Sequence, residues 1–262
     1  MLRLRNSAFA ALAALLIAAP GVSGCGAEPD TPHQNSASTR ARLGLMTSLP
    51  LYWPLGADMG QIATGRAVMP WQREVLEAGY AIVPLDTLSP IPALTPGGQE
   101  SDPLAGIDRL AIIQPRGLSP ADNVALDSWV RKGGRLLLVL DPMLSGEYDL
   151  PIGDPRRPVD MALIPPVVAR WGMAVRYNEA QSAKPVDSGF SETYLPLVLS
   201  GEVEITDPAA AGCMVEAFGA AARCRVGAGQ AVLIADAAIF EHRNFAGENG
   251  IHLRNLLAEV FR

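Results

Sequence analysis

Two apolar runs, residues 110–113 and 136–140, are continuous rather than alternating. That pattern predicts strands covered on both faces, as in a parallel sheet. Between them lies Ser119-Pro120-Ala121-Asp122, with a serine N-cap, a proline at the first helical position and an acid three residues on. Ala125, Trp129 and Val130 give the helix a buried face, and Lys132-Gly133-Gly134 place a cation and glycines where a helix stops. Strand, helix and strand make a βαβ unit. The same reading predicts strands over 42–48 and 80–85 and a helix over 68–78, with Val68, Trp71, Val75 and Leu76 on one face and Gly79 at its end. Prolines mark 49–54 and 89–103 as loops and interrupt a helix over 159–171 at Pro165-Pro166. Short strands are expected over 173–177, 195–199 and 203–206, followed by a hairpin over 213–224. These form either a lobe or an extended sheet edge. A buried strand over 231–236 and a helix over 249–261 close the chain. Asn249 is the expected N-cap of that helix, and Leu253, Leu256, Leu257 and Val260 its buried stripe. The expected fold class is therefore α/β: a mainly parallel sheet flanked by helices over 42–262, with a small antiparallel β insertion at about 178–226.

The amino terminus follows a different pattern. Arg3 and Arg5 precede an Ala/Leu-rich run over 8–19, too short to span a bilayer comfortably, and Val22-Ser23-Gly24-Cys25 follows. Charge, apolar run and small residues before a cysteine resemble a bacterial lipoprotein signal. Residues 1–24 are then the signal peptide and Cys25 the lipidated first residue of the mature chain; the alternative is an ordinary secretory signal cut nearby. Several acyl chains on one residue give stable anchoring. Gly26 and Ala27, in place of an aspartate after the cysteine, favour the inner leaflet of the outer membrane over the inner membrane, with the protein facing the periplasm. Residues 25–41 are the anchor and a polar tether with too little apolar content to fold.

Charge excludes one class of partner. The 262 residues carry 21 basic and 27 acidic side chains, a net −6. Removal of Arg3 and Arg5 with the signal makes this −8, which argues against nucleic acid. Cys213 and Cys224 flank the predicted hairpin turn. In an exported chain they suit a structural disulfide, the alternative being two buried free thiols.

The stretch from Leu110 through Gln114-Pro115-Arg116-Gly117 to Gly133-Gly134 and Asp141-Pro142 resembles the periplasmic domain of gliding-motility-type ABC transporter auxiliary proteins. The segment from Gly227 to Asp236, followed by Asn249 and a Leu-rich helix, resembles the close of that domain. The family is similar to GIFT modules and to class I glutamine amidotransferase folds, so the resemblance implies an amidotransferase/flavodoxin-like sheet. It also implies a non-catalytic periplasmic lipoprotein, a binding or scaffolding module beside ABC transporter subunits or other envelope proteins.

No reaction centre emerges from the sequence. The turn after Gln114 has no nucleophile elbow, Ser119 serves as an N-cap, and His33 falls in the tether. Ser48 with His242 is the one serine–histidine pairing to consider, and no histidine, cysteine and acid cluster has metal-ligand spacing. No catalytic residue, metal or cofactor is therefore expected. A ligand edge is. Ligands of open parallel sheets bind beyond the carboxyl ends of strands, where Ser48, Gln114, Arg116, Asp141 and Asp236 fall, with Tyr52 and Trp53 in the first loop as stacking groups. The same residues also suit turn caps and core lids. A second functional reading is thus a saccharide or peptidoglycan-fragment binding protein, and a third a hydrolase with a non-obvious site.

Overall fold

A computed structural model describes residues 40–262, which form one compact unit; the expected signal peptide, Cys25 and most of the tether lie outside the described residues. Strand β1 (Ala41–Thr47) is followed by a short helix α1 (Met59–Ala63), then helix α2 (Trp71–Gly79) and strand β2 (Tyr80–Pro84). Helix α2 starts at Trp71 rather than 68, because Pro70 takes the N-cap position and Val68 is left outside at 80% exposure. Next come β3 (Arg109–Ile113), α3 (Pro120–Arg131) and β4 (Arg135–Val139), the expected βαβ unit. Its capping box is closed: the Ser119 Oγ accepts from the Asp122 amide at 3.0 Å, and the Asp122 carboxylate accepts from the Ser119 amide at 3.1 Å. The helix expected over 159–171 is reduced to α4 (Pro166–Arg170), since Pro165 caps it and Pro166 opens it.

Strands β5 (Met173–Tyr177), β6 (Val186–Phe190), β7 (Thr193–Leu197) and β8 (Gly201–Ile205) form two small antiparallel sheets, β5–β8 and β6–β7; β6 was not expected from the sequence. Strands β9 (Gly212–Glu216) and β10 (Ala221–Val226) make the cysteine hairpin, and β11 (Gly229–Ile234), α5 (Ala238–Glu241) and α6 (Ile251–Val260) complete the chain. Asn249 does not cap α6. It sits at φ +50°, and Gly250 takes the N-cap position at φ +70°, where a Cβ would lie 2.3 Å from Val75.

The main sheet has seven strands in the order β2-β1-β3-β4-β11-β10-β9, parallel from β2 to β11 and antiparallel through β10 and β9. Alternation along each strand divides the core in two. Ala111, Ile113, Leu137, Val139, Val232 and Ile234 face α2, α6 and β7, whereas Leu110, Ile112, Leu136, Leu138 and Leu233 face α3, α4 and β5. Both faces are dry, which is why the strands read as unbroken apolar runs. The hairpin extends this sheet, and Cys213 and Cys224, in register across β9 and β10, are joined by a disulfide.

Candidate functional site

Beyond β1, Leu49 and Leu51 turn into the core, while Pro50 and Pro54 prevent strand pairing. Trp53 is thereby pushed outward, 42% exposed, while Tyr52 stays half-buried against the edge of the core. Their rings meet edge to face, with centroids 5.0 Å apart and planes at 86°. Arg73, in the first turns of α2, lays its guanidinium 4.0 Å from the Tyr52 centroid and 4.9 Å from that of Trp53. Its Nε donates to Glu77 at 2.6 Å, fixing the stack from behind. The two aromatics border a cleft of about 510 Å³ above the carboxyl ends of β1 and β2, with Leu55, Ile62, Asp86 and Arg156 on its other sides. Arg156 is held at this rim by Asp154, at 3.0 and 2.7 Å.

The other residues expected at this edge occupy different places. Ser48 lines the cleft floor, and its hydroxyl donates to the Gln114 carbonyl at 2.6 Å. Gln114 is buried at φ +46°. Its Nε2 donates to the carbonyls of Asp141 and Val159, both at 3.0 Å, and its Oε1 accepts from the Asp141 amide at 2.9 Å. Gln114 thus fastens the 141–165 segment over the strand ends. Asp141 and Asp236 are fully buried and accept only backbone amides: Met143 and Ala237 for the first, Val198 and Ala238 for the second. Burial pushes the Asp141 carboxyl up to about 7; it also raises Asp236, to which the neighbouring Asp141 adds. Arg116 is exposed and donates to the Arg157 carbonyl at 2.8 Å.

A second cluster was not visible in the sequence. The Glu241 carboxylate accepts from the amides of Ser145 and Gly146, each at 3.0 Å, from Tyr148 Oη at 2.6 Å and from Ser145 Oγ at 3.1 Å. Ser145 Oγ also lies 3.0 Å from His242 Nε2. Burial, then the Glu241 charge, raises the Tyr148 phenol above its usual range. His242 therefore pairs with Ser145, and the considered Ser48–His242 pairing is not formed. In a nucleophilic triad the histidine stands between serine and acid; here the serine stands between histidine and acid. The Ser145 oxygen lies within hydrogen-bond distance of both the Glu241 carboxylate and the His242 ring, and the bonds that Glu241 accepts tie the 145–148 segment to the end of α5. The donors come from residues 93 to 96 positions away from Glu241, so no local motif announces them. Among the described residues no group of three or more His, Cys, Asp or Glu side chains is placed to hold a metal. Nor is any helix there long and apolar enough to cross a membrane.

No protein-family model matches the chain, and no curated protein does. Solved structures that align with it include an exo-β-1,4-mannosidase from Opitutaceae bacterium strain TAV5, with 16% identity over 83% of this chain and 35% of that one and a TM-score of 0.47. A cold-adapted β-galactosidase from Rahnella sp. R3 aligns with 12% identity over 84% of this chain and 31% of that one, TM-score 0.47. A β-galactosidase from Bacillus circulans sp. alkalophilus aligns with 10% identity over 84% and 30%, TM-score 0.46. The chain thus spans about a third of the length of these enzymes, and at such scores they assign it no activity. They do correct an expectation. The kinship anticipated with GIFT-like transporter auxiliary domains and amidotransferase folds is not what the comparisons return, and the non-catalytic scaffold beside an ABC transporter, which rested on that kinship, falls with it.

Proposed function

We propose that this chain is a saccharide-binding protein whose ligand lies in the cleft above β1 and β2, against Trp53. One observation carries the reading: an exposed indole, braced by Tyr52 and Arg73, faces a cleft with an acid and a base on its rim. Sugar rings present flat C–H faces that stack on indoles, and their hydroxyls need a few fixed polar groups around them. Asp86 supplies an acceptor, and Arg156 a donor suited also to the carboxylate of a peptidoglycan fragment. We read the order β2-β1-β3-β4-β11 as a flavodoxin-like doubly wound arrangement; ligands of such sheets bind beyond the carboxyl ends of the strands, the end at which this cleft opens. The protein acts at the periplasmic face of the outer membrane, held by lipid on Cys25.

Titration calorimetry against neutral oligosaccharides, amino-sugar oligomers and muropeptides tests the binding. The expected result is saturable heat with one class, weakened at least tenfold by Trp53→Ala with thermal unfolding unchanged. Silence across the panel, or a Trp53→Ala variant that binds as well, overturns the reading. Incorporation of labelled palmitate, abolished by Cys25→Ala, tests the anchor separately.

A further inference from the structure

The seven-stranded sheet ends at β9, and the two sheet edges differ. At the far edge β2 carries Pro84, whose missing amide blunts further pairing. Strand β9, Gly212-Cys213-Met214-Val215-Glu216, has no proline and no lysine, and its one charge turns inward to Arg223 at 3.3 Å. Met214 is 60% exposed and Val215 42%. Such an edge is a template for another strand.

The hydrogen-bond parity of β9 is fixed by two independent distances. Cys213 and Cys224 face each other with Cα atoms 4.0 Å apart, the close spacing of a pair that does not exchange backbone hydrogen bonds. On the other side of β10, the Ala235 amide donates to the Ala220 carbonyl at 2.8 Å. Even-numbered residues of β10 therefore bond to β11, and odd-numbered ones to β9. Gly212, Met214 and Glu216 direct their amides and carbonyls to β10, and Cys213 and Val215 direct theirs outward.

We propose that β9 pairs with β9 of a second copy of this chain, antiparallel about a two-fold axis at Met214, joining two seven-stranded sheets. This register sets Cys213 against Val215 of the copy, and Val215 against its Cys213, so all four outward groups are satisfied. Met214 meets Met214 as the close, non-bonded pair, where side chains pack best. Charge does not oppose the register: Glu216 of the copy falls beside Gly212, which has no side chain, and each Glu216 stays on Arg223 of its own chain at 3.3 Å.

Sedimentation equilibrium of the full chain in density-matched detergent tests this. The expected result is a reversible dimer. Val215→Pro removes one outward donor without touching the β9–β10 ladder and should raise the dimer Kd at least tenfold with unchanged circular dichroism. Met214→Lys, which leaves the backbone intact, should do the same and keeps the test decisive if the proline variant does not fold. A monomer at all concentrations, or a dimer that both substitutions leave unchanged, overturns the proposal.

Discussion

Asp141 and Asp236 end adjacent parallel strands, and the Asp141 carboxylate accepts its 2.7 Å hydrogen bond from the amide of Ala237, the residue directly after Asp236. The two acids thus share one turn. Each is saturated by amides and neither reaches solvent. They lock the chain reversal after β11 to the end of β4, beneath the loop that carries Glu241's donors.

This arrangement sets a pH dependence of stability. Burial, opposed by the amides of Met143 and Ala237, puts the folded Asp141 carboxyl at about 7, against ~3.9 in the unfolded chain. Between those values the folded state binds more protons than the unfolded one, so stability falls as pH rises from about 4 to about 7 and then levels. The fall should be on the order of 2–4 kcal/mol. Asp122 moves oppositely: burial would raise it, but hydrogen bonds from Ser119, Leu88, Thr87 and Ser89 outweigh burial and hold it low. Its contribution is present above about 4 and lost on further acidification. Urea unfolding from pH 3 to 8 should therefore show a maximum near 4–5. Stability that rises between pH 5 and 7 would refute the assignment. Asp141→Asn should reduce the slope to the part that buried Asp236 carries, and itself cost about 1–3 kcal/mol, since its NH₂ must face one of two amide donors.

Helix α3 was legible in full because its signals are local: Ser119, Pro120 and Asp122 begin it and Gly133-Gly134 end it within 16 residues of sequence. The continuous apolar strands were legible because burial on both faces writes itself into composition. Where tertiary contact decided, the sequence was silent. Asn249 has the chemistry of an N-cap, yet Gly250 takes that place because Val75, far away in the chain, leaves no room for a Cβ. Tyr52 and Trp53 stood out as aromatics after a strand, but Arg73, which braces them, looks like any solvated position on α2. Glu241 similarly gives no sign of the four donors that the 145–148 segment brings to it.

Asp127 holds three partners from two helices and the residue after α4. Its carboxylate accepts from Trp171 Nε1 at 2.8 Å, Arg131 Nε at 2.9 Å and Arg170 Nε at 2.8 Å. Trp171 is fully buried, so Asp127→Ala leaves an indole N–H unpaired in the core, at a cost of about 2–3 kcal/mol. Asp127→Asn keeps a carbonyl for the indole and should cost about 1 kcal/mol. Denaturant midpoints of the two variants check this, and equal losses would show that the arginines, rather than the indole, carry the interaction.

Gly229 begins β11 against the end of α3. A Cβ there would lie 2.0 Å from the Val130 carbonyl oxygen and 2.5 Å from that of Gly134, both backbone atoms. Neither can move without opening the α3–β4 turn, so Gly229→Ala should destabilise by about 3 kcal/mol or more. Gly189, around which a Cβ meets nothing within 4 Å, is the control; Gly189→Ala should stay within about 1 kcal/mol of the parent. Thermal unfolding of the pair distinguishes a packing limit from a general dislike of alanine in these strands.

Arg73 makes a prediction that needs no ligand. Its guanidinium lies flat enough to touch both rings, at 4.0 and 4.9 Å from their centroids, and Glu77 holds it there. A lysine keeps the charge but offers a compact ammonium in place of a planar group. Arg73→Ala should cost about 1 kcal/mol of stability and release Trp53, so acrylamide should quench its fluorescence more strongly. Subtracting the signal of Trp53→Phe isolates that indole from Trp71, Trp129 and Trp171. Arg73→Lys should fall between the two. If quenching of Trp53 is unchanged in Arg73→Ala, the aromatic pair holds its own geometry. The cleft wall then rests on Pro50 and Pro54 alone, and Arg73 is free to be replaced without effect on sugar binding.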